Sequence, residues 1–288
     1  MKIIESLEEL KTYSTSLKNN GETLASIDTY GDFHDGHGSL ITKANEVADK
    51  TLVTIDHMPH YERYSSEKYS KFLDHYKKTT YVSDLKFCEL RGVDAVSHIP
   101  DTTWDLNEDF SFVTDTIKTI IPARCHKKTI QEWTHLMYFQ NTHLMKELQP
   151  TFDMCGEKDF YQKKVFEKII EGLGLSIQVI GVPLVRESDG LAASSRNKEL
   201  SDGERKRATI VYTVLKEISE LDSYPTVTKI KEYIKNNVVR SRGAVQYIDV
   251  CSENTLQPLD TISEKAVIAV SAVFGNVGII DNIVINSK

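Results

Sequence analysis

The stretch Asp28-Thr29-Tyr30-Gly31-Asp32-Phe33-His34-Asp35-Gly36-His37 joins an apolar strand to an amphipathic helix. It places two histidines, His34 and His37, three residues apart on either side of Gly36. Residues with this spacing share one side of a helical turn. The first turn of a helix also presents unpaired backbone N–H groups and the positive end of the helix dipole. The stretch therefore predicts a site for phosphate oxygens at a helix N-terminus.

Two other interpretations of the same residues stay open. Glycine, aspartate and histidine are common in turns and tolerate unusual backbone angles, so a turn without a ligand would also explain the stretch. A second His-x-x-His pair, His57 and His60, would complete a set of four histidines for zinc. Pro59 disrupts the helical spacing of this second pair, and no cysteine or carboxylate stands nearby at ligand spacing. Phosphate binding is the favoured interpretation.

Composition narrows the class of partner. The chain has 288 residues and a formal net charge of -7, with a pI near 5.8. This balance argues against nucleic acid or an anionic membrane surface as the main partner and favours a small anionic ligand. The four cysteines form no Cys-x-x-Cys, so neither a zinc ribbon nor a disulfide framework is indicated. Without a signal-peptide core or a long apolar run, we expect a cytoplasmic protein of two domains.

Strand and helix patterns alternate through the first two thirds of the chain. The predicted strands are Thr23–Thr29, Thr51–Ile55, Val93–Val96, Phe152–Met154 and Ile177–Val182. The predicted helices are Leu7–Leu17, Ser39–Ala48, Asp84–Arg91, 108–120, 129–148 and one that begins near Asp159. Such alternation predicts an α/β domain with a parallel sheet whose ligands gather at the carboxyl ends of the strands.

The last hundred residues have a different pattern. Two predicted helices, Asp202–Glu220 and Val227–Asn237, precede three predicted strands, Val245–Cys251, Ala266–Val273 and Ile279–Ile285. Ser201 and Glu204 have the spacing of a helix capping box. The pattern predicts a small α+β domain, with residues 1–184 in the first domain and 185–288 in the second.

Two further segments carry groups that suit a nucleotide. Gly156-Glu157-Lys158-Asp159 follows a predicted strand, and Ser194-Ser195-Arg196-Asn197 lies in a polar loop. Lysine supplies a compact cation, arginine a planar fork and serine a hydroxyl donor for phosphate, while Asp159 suits ribose hydroxyls. Taken singly, the first segment is equally well explained as a capped helix start, and the second as a solvated loop. Together with the histidine pair they predict a triphosphate site.

These motifs, in this order, resemble the pantothenate synthetase (pantoate–β-alanine ligase) family of the HxGH nucleotidyltransferase superfamily. His-Asp-Gly-His at 34–37 matches the HxGH motif, residues 156–160 match GEKDF, and residues 185–197 resemble VREADGLAMSSRN. The segments at 245–250 and 278–283 resemble the terminal strands of the family, so the resemblance extends over nearly the whole chain. It implies a Rossmann-like HxGH nucleotidyltransferase domain with a parallel sheet, followed by a smaller C-terminal α+β lid domain.

The resemblance also implies a reaction. A carboxylate attacks the α-phosphorus of ATP to give an acyl adenylate and pyrophosphate, and an amine then attacks the acyl carbon to give an amide. By the same resemblance, His34 and His37 contact the phosphates, and Lys158 steadies the α-phosphate and the acyl carboxylate. Ser194, Ser195 and Arg196 close over the pyrophosphate.

The remaining implied contacts concern the nucleoside, the metal and the assembly. Gly36, Gly156 and Asp159 lie along the nucleotide, the last two at the ribose. Val185 and Ala193 lie beside the adenine, with Ala193 in place of the usual methionine. Mg²⁺ bridges phosphate oxygens, and the family resemblance suggests a homodimer.

The acid and amine pocket departs from the family. The VNPTQF-like segment, whose Asn and Gln line the pocket, is replaced by His57-Met58-Pro59-His60-Tyr61-Glu62, with Met58 for Asn and Tyr61 for Gln. A second pantoate-binding glutamine is matched by Gln162, but the PGHFRG segment aligns only with residues 133–136, which include His135. Because such pockets discriminate through hydrogen bonds, we expect an acid other than pantoate, or a different amine.

Three alternatives to this expectation remain. Tyr61, His57 or His60 would compensate for the lost amides if pantoate is still the substrate. The lead-in at residues 29–33 also resembles small cytidylyltransferases, which act on phosphorylated alcohols. A relative that only binds nucleotide is the third alternative.

Overall fold

The computed structural model describes residues 1–55, 80–99, 111–120, 142 and 144–287. The chain divides into two compact units, residues 1–157 with 161–182, and residues 158–160 with 183–288. Within the described ranges, no helix combines the length and the apolar character that crossing a bilayer requires.

The first unit is built on a parallel sheet of six strands, in the order β1-β4-β3-β2-β5-β6. Its strands are β1 (Lys2–Ile4), β2 (Leu24–Thr29), β3 (Lys50–Ile55), β4 (Ala95–Ser97), β5 (Phe152–Gly156) and β6 (Gln178–Val182). Its described helices are α1 (Leu7–Asn19), α2 (Asp35–Val47), α3 (Tyr81–Glu89), α4 (Ser111–Ile120), α5 (Leu144–Leu148) and α6 (Phe160–Gly172).

Helices cover both faces of this sheet, which explains why its central strands β2 and β3 are buried almost throughout. Side chains alternate between the two faces along β2. Leu24 packs in a core cluster with residues of α1 and α6, whereas Ala25 and Ile27 pack in a second cluster with residues of α2. The sheet is thus the middle layer of three.

The chain changes direction across the sheet between β2 and β5. From β2 it passes through α2 to β3 on one side, and from β5 through α6 to β6 on the other. Ala25 pairs with Phe152 and Ser26 with Asp153, so the same register brings Gly156 level with Thr29. In open α/β sheets, the crevice outside the carboxyl ends of two such strands is where ligands bind.

The second unit packs helices on a small antiparallel sheet in the order β7-β8-β9. Its elements are α7 (Asp202–Ala208), α8 (Ile210–Ser219), α9 (Val227–Arg240), β7 (Ala244–Ser252), β8 (Ala266–Phe274) and β9 (Val277–Ile285). One apolar core joins α8 and α9 to the sheet, with Leu215, Ile234 and Phe274 fully buried. Strand β9 pairs with β8 over its full length, which makes it a firm support for the side chains it carries.

The structure confirms the predicted fold class and corrects several element boundaries. Helix α2 begins at Asp35 rather than Ser39, because His34 caps it. The single helix predicted for 202–220 is wrong, since Thr209 separates α7 from α8. Strand β1 was not predicted, because three residues at a sheet edge carry too little periodicity to be recognised. The predicted capping box at Ser201 and Glu204 is confirmed.

Asp153 lies buried in the middle of β5 and makes the stability of the fold depend on pH. Burial raises the pKa of its carboxyl to about 7, against a smaller opposing effect of the hydrogen bond that Ser26 Oγ donates to Oδ1 over 2.8 Å. An acid whose pKa is raised in the folded state stays protonated there while it ionises in the unfolded chain. Its contribution to stability is therefore complete below pH 4 and is lost as the pH rises to about 7.

We expect Asp153→Asn, which keeps the shape and the Oδ1 acceptor but cannot ionise, to remove this loss. The free energy of unfolding at pH 8 should rise by on the order of 3 kcal/mol, with little change at pH 4. Urea unfolding at both pH values measures this, and Asp115→Asn on the exposed face of α4 is the control. An equal effect of Asp153→Asn at the two pH values would contradict the assignment.

Candidate active site

The histidine pair builds the N-terminus of α2. His34 is the N-cap residue, and its Nδ1 accepts the backbone N–H of Gly36 over 3.1 Å. In return, His37 Nδ1 accepts the backbone N–H of His34 over 3.3 Å. These reciprocal bonds form a capping box in which imidazoles take the positions usually held by Ser or Thr and Glu. Both rings are therefore oriented by the backbone of the helix they begin.

This arrangement assigns the ring protons. A neutral imidazole whose Nδ1 accepts a hydrogen bond carries its proton on Nε2. The two rings lie with centroids 4.1 Å apart, so two Nε2–H donors stand side by side at the positive end of the α2 dipole. Groups of this kind stabilise negative charge that develops on phosphate oxygens.

A buried carboxylate on another helix shapes the turn that leads into this pair. Gly31 and Asp32 adopt positive φ values of 76° and 55°. Asp84, buried on α3, accepts the backbone N–H of Asp32 at 2.8 Å on one oxygen and that of Phe33 at 3.1 Å on the other. Sequence reasoning placed Asp84 only at the start of a helix. A contact across 52 residues leaves no local signal in the sequence.

Gly156 marks the same edge of the first sheet at the end of β5. A Cβ added there would meet no described atom within 4 Å, which leaves room for a ligand to approach the backbone. Gln162 is half-buried in the first turn of α6.

In the second unit, Lys158 is held through both its main chain and its side chain. Its Nζ donates to the carbonyl of Ala193 over 3.1 Å, and its own carbonyl accepts from Asn282 Nδ2 over 2.9 Å. Burial lowers the pKa of Lys158 below its usual value, with Asp159 acting in the opposite sense and Arg196 in the same sense. The lysine is therefore a desolvated cation with neighbours of both signs.

The loop that follows Val185 is folded on itself. Ala193 donates its backbone N–H to the carbonyl of Val185 over 2.9 Å, so a hydrogen bond joins the two residues that the resemblance places beside the adenine. Arg186 Nη1 donates to the carbonyl of Gly190 at 3.0 Å and to Asp281 at 2.8 Å, and its guanidinium lies over the Tyr212 ring.

A second set of polar contacts fixes the end of this loop. Glu187 accepts a hydrogen bond from Asn197 Nδ2 at 2.6 Å and pairs with Arg205. Asn197 Nδ2 also donates to the carbonyl of Ala192 at 2.9 Å, which fixes the backbone on both sides of residues 194–196. Ser194 and Ser195 are half-buried there and Arg196 is exposed, at the start of a 3-10 helix, Ser195–Glu199. Sequence reasoning did not identify Asn197, Glu187 or Asp281 as the supports of this loop.

The structure thus groups the predicted residues into two sets, each within one unit. The first set lies at the carboxyl edge of the six-stranded sheet and contains His34, Gly36, His37 and Gly156. The second contains Lys158, Asp159, Val185 and Ala193 with residues 194–196. The candidate acid-pocket residues His57, Met58, His60, Tyr61 and His135 lie outside the described residues.

Metal ligands are a separate question. In residues 1–55, 80–99, 111–120, 142 and 144–287, no three His, Cys, Asp or Glu side chains cluster as a metal site. Mg²⁺ commonly takes its ligands from nucleotide phosphates and water rather than from a protein cage. The four-histidine zinc alternative includes His57 and His60, which lie outside the described residues.

Comparisons with known proteins show which family the chain resembles over its length. The family model for pantoate-beta-alanine ligase matches residues 2–284. A pantothenate synthetase of Thermotoga neapolitana is 32% identical over 289 residues, covering 99% of this chain and 100% of the relative.

Solved structures show the same fold. A pantothenate synthetase from Thermus thermophilus aligns with a TM-score of 0.77 at 23% identity, covering 98% of this chain and 99% of that one. A pantoate-beta-alanine ligase from Francisella tularensis, complexed with beta-gamma ATP and beta-alanine, aligns with a TM-score of 0.69 at 20% identity, covering 98% and 97%. Because the family model matches residues 2–284 and the Thermotoga neapolitana relative is 32% identical over 99% of this chain, the chain belongs to the pantoate-beta-alanine ligase family.

Proposed function

We propose that this protein is an ATP-dependent, AMP-forming ligase that joins a small carboxylic acid to a small amine through an acyl adenylate. Family membership over residues 2–284 carries the proposal. The capped histidine pair at the end of β2 and the desolvated Lys158 support it, because they are the groups that polyphosphate chemistry needs.

The first step transfers adenylyl to the acid. A carboxylate oxygen attacks the α-phosphorus, and the bond to the bridging oxygen breaks, with its electron pair leaving on pyrophosphate. No covalent nucleophile from the protein is needed, so catalysis rests on donors placed where charge develops. The Nε2–H groups of His34 and His37 suit the leaving phosphates. Ser194, Ser195 and Arg196 supply hydroxyl and guanidinium donors for the pyrophosphate.

Lys158 suits the reacting centre itself. An ammonium has three N–H donors, and the carbonyl of Ala193 takes one of them. The other two suit an α-phosphate oxygen and the acyl carboxylate, which both carry negative charge before the step. Because Lys158 is desolvated, its charge acts on these groups with less screening than it would in water.

The second step forms the amide. The amine attacks the acyl carbon, AMP leaves with the electron pair of the broken bond, and the amine loses a proton. Mg²⁺ would be carried by the phosphates of ATP, where it would neutralise part of their charge. The nucleoside would lie along Gly36, Gly156 and Asp159, with the adenine beside Val185 and Ala193.

We further propose that the acid or the amine differs from pantoate or β-alanine. Met58 and Tyr61 replace two amides of the family segment, and a pocket that has lost amide hydrogen bonds no longer selects the same hydroxyl groups. Gln162 is retained, so one polar contact to the acid is kept.

The substrate proposal is tested by exchange of labelled pyrophosphate into ATP with an acid panel: D-pantoate, D-glycerate, 2-hydroxyisovalerate, 3-hydroxybutyrate and benzoate. We expect one of the other acids to support exchange about tenfold faster than pantoate. In the double variant Met58→Asn/Tyr61→Gln we expect pantoate to support faster exchange than the acid that the wild type prefers. Pantoate as the best acid, with β-alanine as the best amine, would refute altered specificity and leave the ligase intact. Exchange into CTP that depends on glycerol 3-phosphate would instead identify a cytidylyltransferase.

Lys158→Ala should lower acid-dependent exchange by about 10²–10³-fold, because a donor to the reacting groups is lost. Lys168→Ala is the control, since Lys168 lies on the exposed face of α6 in an ion pair with Glu171. Exchange at the wild-type rate in Lys158→Ala would remove this residue from the mechanism.

The two functions of His34 are separable. His34→Asn keeps a side-chain acceptor for the Gly36 N–H but lacks Nε2–H, whereas His34→Ala loses both. We expect the free energy of unfolding of His34→Asn to lie within about 0.5 kcal/mol of the wild-type value, and that of His34→Ala to be lower by about 1 kcal/mol. Exchange should fall about a hundredfold in both. Full exchange in His34→Asn would show that the ring acts only as a cap.

A further inference from the structure

We propose that Asn282, on the last strand of the chain, is a positioning residue that sets where the ammonium of Lys158 lies during adenylyl transfer. The inference rests on the proposed function, because it concerns the same lysine. Asn282 acts on the main chain of Lys158 and not on a substrate.

The contact itself joins distant parts of the sequence. Asn282 Nδ2 donates to the carbonyl of Lys158 over 2.9 Å, across 124 residues. Lys158 lies in a 3-10 helix of only three residues, Glu157–Asp159, a conformation whose hydrogen-bond geometry is poorer than that of an α-helix. Because the carbonyl of Ala193 binds Nζ, the residue is fixed at both ends of its length. Loss of the Asn282 bond frees one of these ends.

Asn282 is in turn held by its neighbour. Asp281 Oδ1 accepts the backbone N–H of Asn282 at 2.8 Å and also binds Arg186 Nη2 at 3.1 Å. Asp281 and Asn282 pair with Val270 and Ala269 in the middle of the β8–β9 ladder. Two adjacent positions on a firm strand therefore act as anchors: Asp281 holds the loop that starts at Arg186, and Asn282 holds the lysine.

The opposed charge reinforces this geometry. Asp281 is buried, and its carboxylate favours the protonated form of Lys158. Displacement of the Lys158 main chain would therefore change both the direction of the ammonium and its electrostatic surroundings. A misplacement of about 1 Å at a reacting group costs up to about a hundredfold in rate.

The test uses a matched pair of asparagines. Asn282→Leu removes the amide without a large change of volume. Asn237→Leu is the control, because Asn237 Nδ2 also donates to a backbone carbonyl, that of Tyr233, over 2.9 Å and is also half-buried. We expect pyrophosphate exchange, with the acid that the panel identifies, to fall about tenfold in Asn282→Leu and to stay within twofold of wild type in Asn237→Leu.

A double-mutant cycle separates positioning from general destabilisation. If Asn282 acts through Lys158, then Asn282→Leu should change the residual rate of Lys158→Ala by less than about twofold. An equal loss in both backgrounds would overturn the proposal, as would a wild-type rate in Asn282→Leu alone. If Asn282→Leu does not fold, Asn282→Asp takes its place in the cycle, because aspartate keeps the side-chain shape but lacks the donor.

A wild-type rate in Lys158→Ala refutes the proposed role of the lysine before any Asn282 variant is measured. If no acid supports exchange, the proposed function and this inference both fail.

Discussion

The N-terminus of α2 depends on two imidazole rings that accept the backbone N–H groups of their own helix. Serine or threonine would cap the helix as well, but only histidine leaves an N–H at the far side of the same ring. The cap and the proposed phosphate donors are therefore one structure. The turn before it, with Gly31 and Asp32 in left-handed conformations, is held by the buried carboxylate of Asp84.

The parallel sheet provides the place for this cap. Because β2 and β5 are neighbours whose connections run in opposite directions across the sheet, their carboxyl ends flank a crevice of the kind in which ligands bind. Gly156 completes that edge with a backbone that a ligand can approach closely. The apolar faces of β2 and β3 keep this geometry rigid without contributing to the chemistry.

The second unit holds a partly buried lysine and the loop of residues 194–196 in place. It does so with carboxylates and amides: Asp281 on Arg186, Glu187 on Asn197 and Arg205, and Asn282 on Lys158. Each is a hydrogen bond to a charged group or to a backbone carbonyl, which is stronger or more directional than apolar contact. The proposed site therefore depends on residues outside the predicted set of nucleotide ligands.

Apart from β1 and the break at Thr209, the sequence by itself determined the order of strands and helices in the described residues, the fold class and the candidate nucleotide residues, because hydrophobic periodicity and the His-Asp-Gly-His, Gly-Glu-Lys-Asp and Ser-Ser-Arg-Asn motifs are local. The departure from the family pattern at residues 57–62 is a prediction from the resemblance. Only the tertiary structure decided that His34 caps α2, that Thr209 interrupts a helix, and that Asp84, Asp281 and Asn282 support the site. The contacts of Asp84, Asp281 and Asn282 join residues 52, 95 and 124 positions apart. A carboxylate or an amide shows in the sequence only its chemistry, while the choice of its partner is made by strand order and register.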